Sequence, residues 1–153
     1  MNGTFGILGR EDLGRIKPLW EKLNLQHREG ARYFGEQYMT FTFEKRCEKF
    51  RSVPEEDLRI AIVQAEGVVA GYCIATIEKD TGEIDSLFIE QAYRGCGFGR
   101  TLVKDCILWF GQRTCERIVV TVADGNDAAF GFYEKCGFFP LLTYLQMKKE
   151  VTI

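Results

Sequence analysis

A chain of 153 residues in which 46% of the side chains are hydrophobic can bury one domain-sized core, which excludes a peptide-sized disulfide scaffold. Twenty Lys and Arg against 22 Asp and Glu leave a formal charge of −2, and neither sign collects in a long run, so nucleic acid held by bulk charge is not an expected partner. With 27% charged residues and only three prolines, the composition is that of a chain that folds.

Residues 4–8 can form a short first strand. Leu13, Ile16, Leu19, Trp20 and Leu23 then recur at three- and four-residue steps, the period of an amphipathic helix, with Pro18 either kinking it or marking its true start. A second helical stripe runs through Phe34, Tyr38, Phe41, Lys45 and Phe50, weakened by the β-branched and aromatic residues at 40–43. From Leu58 the period becomes that of strands. Segments 58–65, 68–77 and 83–89 are separated by Glu66-Gly67 and Lys79-Asp80-Thr81-Gly82, turn chemistry that predicts an antiparallel meander. A bend containing Gly95, Gly97 and Gly99 leads into a helical stripe through Phe98, Leu102, Cys106, Trp109 and Phe110. The apolar run 118–122 predicts a buried strand, 126–135 a short helix stopped at Gly137, and 138–142 and 144–147 two final strands. The sum is an α+β, or mixed α/β, chain of about seven strands and about four helices. No repeat, low-complexity tract or Pro/Gly/Ser-rich linker divides it, so residues 1–153 read as a single domain.

The six cysteines include no CxxC pair and His27 is the only histidine, so no metal site is expected. Cysteines inside apolar runs such as Gly71-Tyr72-Cys73-Ile74-Ala75 read as reduced core residues. No apolar stretch approaches the ~20 residues needed to span a bilayer, and the first residues lack the pattern of a secretory signal, so the expected location is the cytoplasm, away from membranes.

The segment Arg94-Gly95-Cys96-Gly97-Phe98-Gly99-Arg100-Thr101 lies where a strand hands over to a helix, so unpaired amides and the positive end of the helix dipole converge there. Glycines let an anion approach those amides, which makes the bend a physically sensible phosphate cradle; a simple tight turn would use the same residues. Two better-known phosphate loops fail. Gly99 is followed by Arg100-Thr101 rather than Lys-Ser/Thr, and the glycines alternate after an antiparallel meander, unlike a dinucleotide fingerprint.

Arg94, Gly97 and Gly99 do resemble the [RQ]xxGx[GA] acyl-CoA pyrophosphate loop of the GNAT superfamily of N-acetyltransferases. Downstream, Asn126, Ala129, Tyr133, Glu134, Gly137 and Phe138 are similar to that family's NxxAxxxYExxGF segment, in the same order and at the same distance. The resemblance covers roughly residues 58–150, the acyl-CoA-binding core, and leaves residues 1–57 as acceptor-side helices without a motif. It implies a GNAT-like, mostly antiparallel sheet whose fourth and fifth strands splay, and an acetyltransferase that moves the acetyl group of acetyl-CoA to a primary amine in a ternary complex. In that reading the backbone at Leu87, Phe88 and Ile89 pairs with pantetheine, the loop from Arg94 to Thr101 holds the pyrophosphate, and Asn126 bonds the arm. Ala129 lets the arm pass, with Phe132 and Tyr133 beside it. The resemblance makes Tyr133 the general acid and Glu83 the general base, with Asp85 or a water relay as substitutes. The residues also permit plainer roles: Asn126 as a helix N-cap, Glu83 as a surface turn residue, Tyr133 as packing. A non-catalytic acyl-CoA-binding or sensing module would keep the same loop. Tyr33, Phe34, Glu36, Tyr38, Phe41 and Tyr144 lie in the acceptor-side segments. The sequence names only a small-molecule or protein amine as acceptor and leaves a homodimer open.

Overall fold

The meander expected from the turn chemistry forms the centre of the molecule. In the computed structural model, which describes residues 2–149, β1 (Thr4–Leu8), β2 (Leu58–Ala65), β3 (Val68–Glu78), β4 (Thr81–Ile89) and β5 (Arg117–Val120) lie side by side in that order. The first four are antiparallel and β5 is parallel to β4. Glu66 and Gly67, both at positive φ, make the two-residue turn between β2 and β3, a backbone twist that matches the twist of paired strands. The next turn is tighter than expected. Only Lys79 and Asp80 lie outside the strands, and the Asp80 carbonyl accepts from the amides of Glu116 (2.8 Å) and Arg117 (3.3 Å), which fixes the start of β5.

Helices cover both faces, which is why β2 and β3 are buried almost throughout. On one face α1 (Lys17–Gly30) and α2 (Phe43–Ser52) supply Leu19, Trp20, Leu23, Phe43, Cys47 and Phe50 to a core with Ile60, Tyr72, Ile74 and Phe88. On the other, α3 (Phe98–Gln112) packs Leu102, Val103, Cys106 and Phe110 on Ala61, Cys73, Ala75 and Ile84, and Tyr133 of α4 (Asp127–Lys135) joins that core.

Several expectations need correction. The first helical stripe is two elements, because a 3-10 turn (Arg10–Ile16) precedes α1, whose first turn holds Pro18 where a missing N–H costs nothing. The second stripe is also broken: Gly35–Thr40 is a 3-10 turn, and α2 starts anew where the Thr42 side chain accepts from the Lys45 amide at 3.1 Å. With further 3-10 turns at Glu55–Asp57 and Gln91–Tyr93, the helical elements exceed the four expected. The sheet has five strands, not seven, since none of the described residues in 138–149 belongs to a strand. The side chains there favour a pleated, half-buried surface, but these described residues pair with none of the five strands, and the outer edges of β1 and β5 stay unpaired. Of the cysteines, Cys47, Cys73 and Cys106 are core residues, Cys115 and Cys136 are half-buried, and Cys96 is exposed; all are free.

Candidate active site

The site is built where β4 changes partners. Its pairing with β5 runs from Thr81 to Ile84 and stops, so β4 continues through Ile89 with β3 on one side and an open edge on the other. At the same place the ladder to β3 skips a residue: Ile74 faces Ser86 and Ala75 faces Ile84, which leaves Asp85 as a bulge. The bulge inverts the alternation. Ile84 points to the α3 core, while Ser86 and Phe88 face α1 and α2; the Ser86 hydroxyl and the Tyr72 phenol are hydrogen-bonded at 2.8 Å. Leu87 and Ile89 lie half-buried on the α3 side, packed against the same core as Phe132 and Ala129.

A charge cluster fills the bulge. The Asp85 carboxylate is wholly buried; it accepts from Thr76 Oγ1 at 2.6 Å and from the Lys49 ammonium. Glu83 Oε1 accepts from the same ammonium at 3.1 Å, and the Arg46 guanidinium donates to the Asp85 carbonyl at 2.8 Å, satisfying a group left out of the ladder. Partial burial works to lower the Lys49 pKa, but its hydrogen bonds to Asp85 and Glu83 outweigh it and hold the pKa above its ordinary value. Glu83, at about one-third side-chain exposure, sits one pleat before the open edge, in the stretch still paired with β5.

Beside the cluster a cavity of about 400 Å³ opens between α1, α2 and β4, lined among others by His27, Tyr38, Phe41, Lys45, Asp85 and Ser86. Burial holds the His27 pKa below its ordinary value, and its Nδ1 is buried without a hydrogen-bond partner among the described residues. A larger hollow of about 610 Å³ between the Arg10–Ile16 turn and α2 reaches neither β4 nor the glycine bend.

Past Ile89 the chain makes the Gln91–Tyr93 turn and enters the glycine bend. Gly95 (φ +80) and Gly97 (φ +84) are left-handed, and a Cβ at either would meet nothing within 4 Å, so both glycines face open space at the start of α3. There the first amides of the helix lack intrahelical acceptors. The remaining members of the bend have defined partners. Arg94 Nε donates to the Ile89 carbonyl at 2.9 Å and its guanidinium lies 5.2 Å from the Phe88 ring, so it ties the bend to β4. Phe98 is a core side chain and offers only its backbone; the Thr101 hydroxyl donates to the Gly97 carbonyl at 3.1 Å. Cys96 and Arg100 are exposed.

Across the opening, α4 carries the second set. Asn126 stands at the N-cap position, but its side chain makes no capping hydrogen bond. Tyr133 is buried at 9% exposure, its ring edge-on to Phe132 (5.1 Å between centroids) and to Phe138 (5.6 Å). Burial pushes its phenol well above the ordinary ~10, so the hydroxyl keeps its proton at neutral pH. Glu83 and Tyr133 therefore belong to opposite faces of the sheet, and the pairing of β4 with β5 ends at Ile84, one residue past Glu83.

A model described as the acetyltransferase (GNAT) family matches residues 20–138. The chain belongs to that family. Curated relatives include the peptidyl-lysine N-acetyltransferase YjaB of Escherichia coli, 31% identical over 86 residues (56% of this chain, 52% of the relative). Another is the ribosomal protein bS18-alanine N-acetyltransferase of Haemophilus influenzae, 27% identical over 84 residues (55% and 56%). The chain thus spans about half the length of the curated relatives it matches. Among solved structures, glucosamine-6-phosphate N-acetyltransferase from Arabidopsis thaliana superposes with a TM-score of 0.69 at 19% identity, covering 98% of this chain and 100% of that one. Aminoglycoside N-acetyltransferase AAC(6')-Iy, solved with CoA, gives 0.66 at 15% identity, covering 97% and 100%. These likenesses establish the mixed α+β GNAT fold.

Within this GNAT chain, sequence reasoning missed the residues that couple the two halves. Arg46 and Lys49 lie 34 to 39 positions from the groups they bind, and no local pattern announces such a pairing. Gly125 (φ +89) packs so closely on Gly30 that a Cβ would stand 1.9 Å from the Gly30 carbonyl oxygen; next to it Arg32 and Asp124 pair at 2.6 Å, joining the end of α1 to the loop before α4. A glycine ahead of Asn126 was the available signal. Among the described residues no helix is long and apolar enough to cross a membrane.

Proposed function

We propose that this protein transfers the acetyl group of acetyl-CoA to a primary amine by direct attack in a ternary complex, in one domain whose residues 1–57 form the acceptor side and 58–150 the acyl-CoA side. The observation that carries the reading is the open edge of β4 from Asp85 to Ile89, with a cavity on one face and a buried, protonated phenol on the other. An extended pantetheine arm would complete that edge as an added strand, near Leu87, Phe88 and Ile89. Its pyrophosphate would lie on the amides of Gly95, Cys96, Gly97, Phe98 and Gly99, whose approach is unobstructed at Gly95 and Gly97. Arg100 and Thr101 border that position, with Arg100 the exposed cation; Arg94 holds the bend in place. Asn126, with no capping bond, has its amide available to the arm, and Ala129 and Phe132 form the adjoining wall.

The amine enters from the α1/α2 face. Its nitrogen attacks the thioester carbon, with Glu83 or a water it orders taking the proton, and the oxyanion forms beside a backbone N–H of Phe88 or Ile89. The C–S bond then breaks and Tyr133 donates its proton to the departing thiolate. A relay through Cys47, Cys115 or Cys136 is disfavoured because burial raises these thiols and opposes the thiolate.

The test has two arms. Acetyl-CoA at 100 times its Kd should stabilise the fold by about 2.7 kcal/mol, a rise of roughly 5 to 10 °C in Tm for a chain of this size. Thiol release from acetyl-CoA over a panel of amines spanning amino acids, amino sugars, polyamines and lysyl peptides should then exceed the amine-free rate. Binding without release for any amine would favour the sensing module, and no stabilisation would remove both readings.

A further inference from the structure

We infer that the cavity between α1, α2 and β4 takes as its acceptor an amine that also carries a carboxylate and an apolar side group, an amino acid rather than a polyamine or a lysyl side chain. The assignment rests on the acetyl-transfer reading and adds to it the class of the acceptor.

The first observation is charge. The charged groups lining the cavity are Lys45, Arg46, Lys49 and Asp85. Lys49 lies between two carboxylates, those of Asp85 and Glu83, and is neutralised where it stands. The Arg46 guanidinium donates to the Asp85 carbonyl and is 3.8 Å from the Asp85 carboxylate, which Lys49 already holds. Lys45 is exposed, and its ammonium has no hydrogen bond or ion pair among the described residues. Three cations against two carboxylates leave one positive charge unanswered. Asp124, whose charge adds to burial in raising the Tyr38 phenol, does not answer it, because it pairs with Arg32 at 2.6 Å. A polyamine or a lysyl chain would add positive charge to this surplus, whereas a single carboxylate balances it and a phosphate dianion overshoots it.

The second observation is where Lys45 stands. The Thr42 side chain caps α2 by accepting from the Lys45 amide, which makes Lys45 the third residue of the helix. That position favours Glu or Gln, which can close a reciprocal capping bond, and the first turn of a helix favours negative charge. Lys45 followed by Arg46 runs against both preferences, and no ion pair of Lys45 within the described chain offsets the cost. Local rules broken in this way mark functional positions.

The third is the apolar part of the lining. Trp20 and Leu23, buried on α1, line the cavity together with Tyr38 and the exposed Phe41, whose rings stand edge-on with 5.8 Å between centroids. Asn24 Nδ2 donates to the Tyr38 carbonyl at 2.9 Å, which ties this segment to α1. All three cations belong to α2, whereas the apolar side chains come from α1 and the segment before α2. An amino acid can present its carboxylate to the one and its side group to the other. A volume of about 400 Å³ is that of a small-molecule site. Transfer then forms the N–C bond as the C–S bond breaks and yields an N-acetylamino acid and CoA.

The experiment compares L-phenylalanine, L-leucine and L-methionine with their carboxamides, with spermidine and with Nα-acetyl-L-lysinamide. It reads thiol release from acetyl-CoA and, separately, calorimetric titration into the CoA-loaded protein. The carboxamide lacks the carboxylate and has a less basic amine, so intrinsic reactivity favours it. At least one acid should nevertheless exceed its amide by about tenfold or more in kcat/KM and in affinity. Lys45→Glu puts a glutamate three residues past the Thr42 cap, where a capping box supports the fold. It should raise the KM and Kd of the acid by about tenfold or more and change those of the amide by less than about threefold. Acids no better than their amides, a folded Lys45→Glu protein with the same preference, or a higher kcat/KM for spermidine or the lysinamide would overturn the inference; thiol release with those amines would leave the transfer reading standing. Acid-selective binding that Lys45→Glu abolishes, with no thiol release from any amine, would support the ligand class and overturn the transfer reading instead. Failure of all three acids to bind would overturn the inference outright. The comparison of acid with amide on the wild type decides the matter even if the variant does not fold.

Discussion

Replacing Tyr133 by phenylalanine separates stability from chemistry, because the ring supplies the packing and the proposed proton donation belongs to the hydroxyl alone. The ring supplies packing: it is buried, edge-on to Phe132 and Phe138, and joins the α3 core. Phenylalanine keeps all of these contacts. The hydroxyl has no hydrogen-bond partner among the described residues, so its removal strands no donor or acceptor. The unfolding free energy should therefore stay within about 0.5 kcal/mol of wild type. The acetyl-CoA Kd should change by less than about threefold, since a proton donor to the leaving group acts in the transition state. The rate is where the loss belongs. General acid catalysis contributes about 10² to 10⁴-fold, or about 2.7 to 5.4 kcal/mol of barrier at 1.36 kcal/mol per decade. The assay is single-turnover appearance of free CoA thiol with enzyme in excess over acetyl-CoA, using whichever amine supports turnover, alongside urea denaturation and calorimetric Kd. A folded variant with wild-type Kd and a rate within threefold of wild type would refute the reasoning, since the hydroxyl would then have no part in releasing the thiolate. Equal losses in binding and rate would refute it as well.

Glu83→Gln should cost less than about 1 kcal/mol of stability, because its partner Lys49 is 41% exposed and screened by water, yet should slow transfer; an unchanged rate assigns the proton to a water relay. Asp85→Asn removes the buried partner of that lysine. Since Lys49 can turn to solvent, the loss should fall near 1–2 kcal/mol instead of the 3–5 seen for fully trapped charges, and denaturation measures it. Gly125→Ala places a Cβ 1.9 Å from the Gly30 carbonyl oxygen at φ +89, and should destabilise by at least about 2 kcal/mol. Gly131→Ala, inside α4 with nothing within 4 Å, should instead stabilise by about 0.5–1 kcal/mol; similar effects for the two would contradict the close approach. The single histidine gives a clean pH test. Its native pKa lies below 6.5, so as pH falls through 6.5 the unfolded chain takes up the proton first and stability drops, while well above 6.5 both states are neutral and His27 contributes no slope. His27→Gln should remove that component as pH falls through 6.5, and an imidazole resonance titrating at or above 6.5 in the native protein would contradict the burial argument.

The meander was legible because strand period and turn chemistry agree at Glu66-Gly67 and around Lys79-Asp80, local signals that tertiary contacts only reinforce. The parity of β4 was readable as far as Asp85 and no further. Strict alternation puts Leu87 with Glu83 and Asp85, whereas the bulge hands that face to Ser86 and Phe88. A bulge answers to what lies on both sides of a strand, here the end of β5 and the cations of α2, and neither is adjacent in sequence. Arg94 shows the same limit. Its place in the bend identifies a cation near the cradle, but only the fold reveals that the guanidinium is spent on the Ile89 carbonyl and the Phe88 ring. For 138–142 and 144–147 the strand expectation fails: the side chains favour strands, but none of these residues pairs with the sheet, and strand pairing depends on an edge distant in sequence that composition does not reveal.

The central claim, that coenzyme A docks at the bend after Ile89, is tested most directly by calorimetric titration of acetyl-CoA into wild type and Gly97→Glu, each confirmed folded. In the wild type Gly97 is left-handed with nothing within 4 Å of where a Cβ would stand, so a glutamate there puts a side chain and a negative charge where the proposal places the pyrophosphate. Wild type should bind with a measurable heat, and the variant should lose at least about 100-fold in affinity, about 2.7 kcal/mol. A folded Gly97→Glu protein that binds acetyl-CoA as tightly as wild type would contradict the account at its foundation.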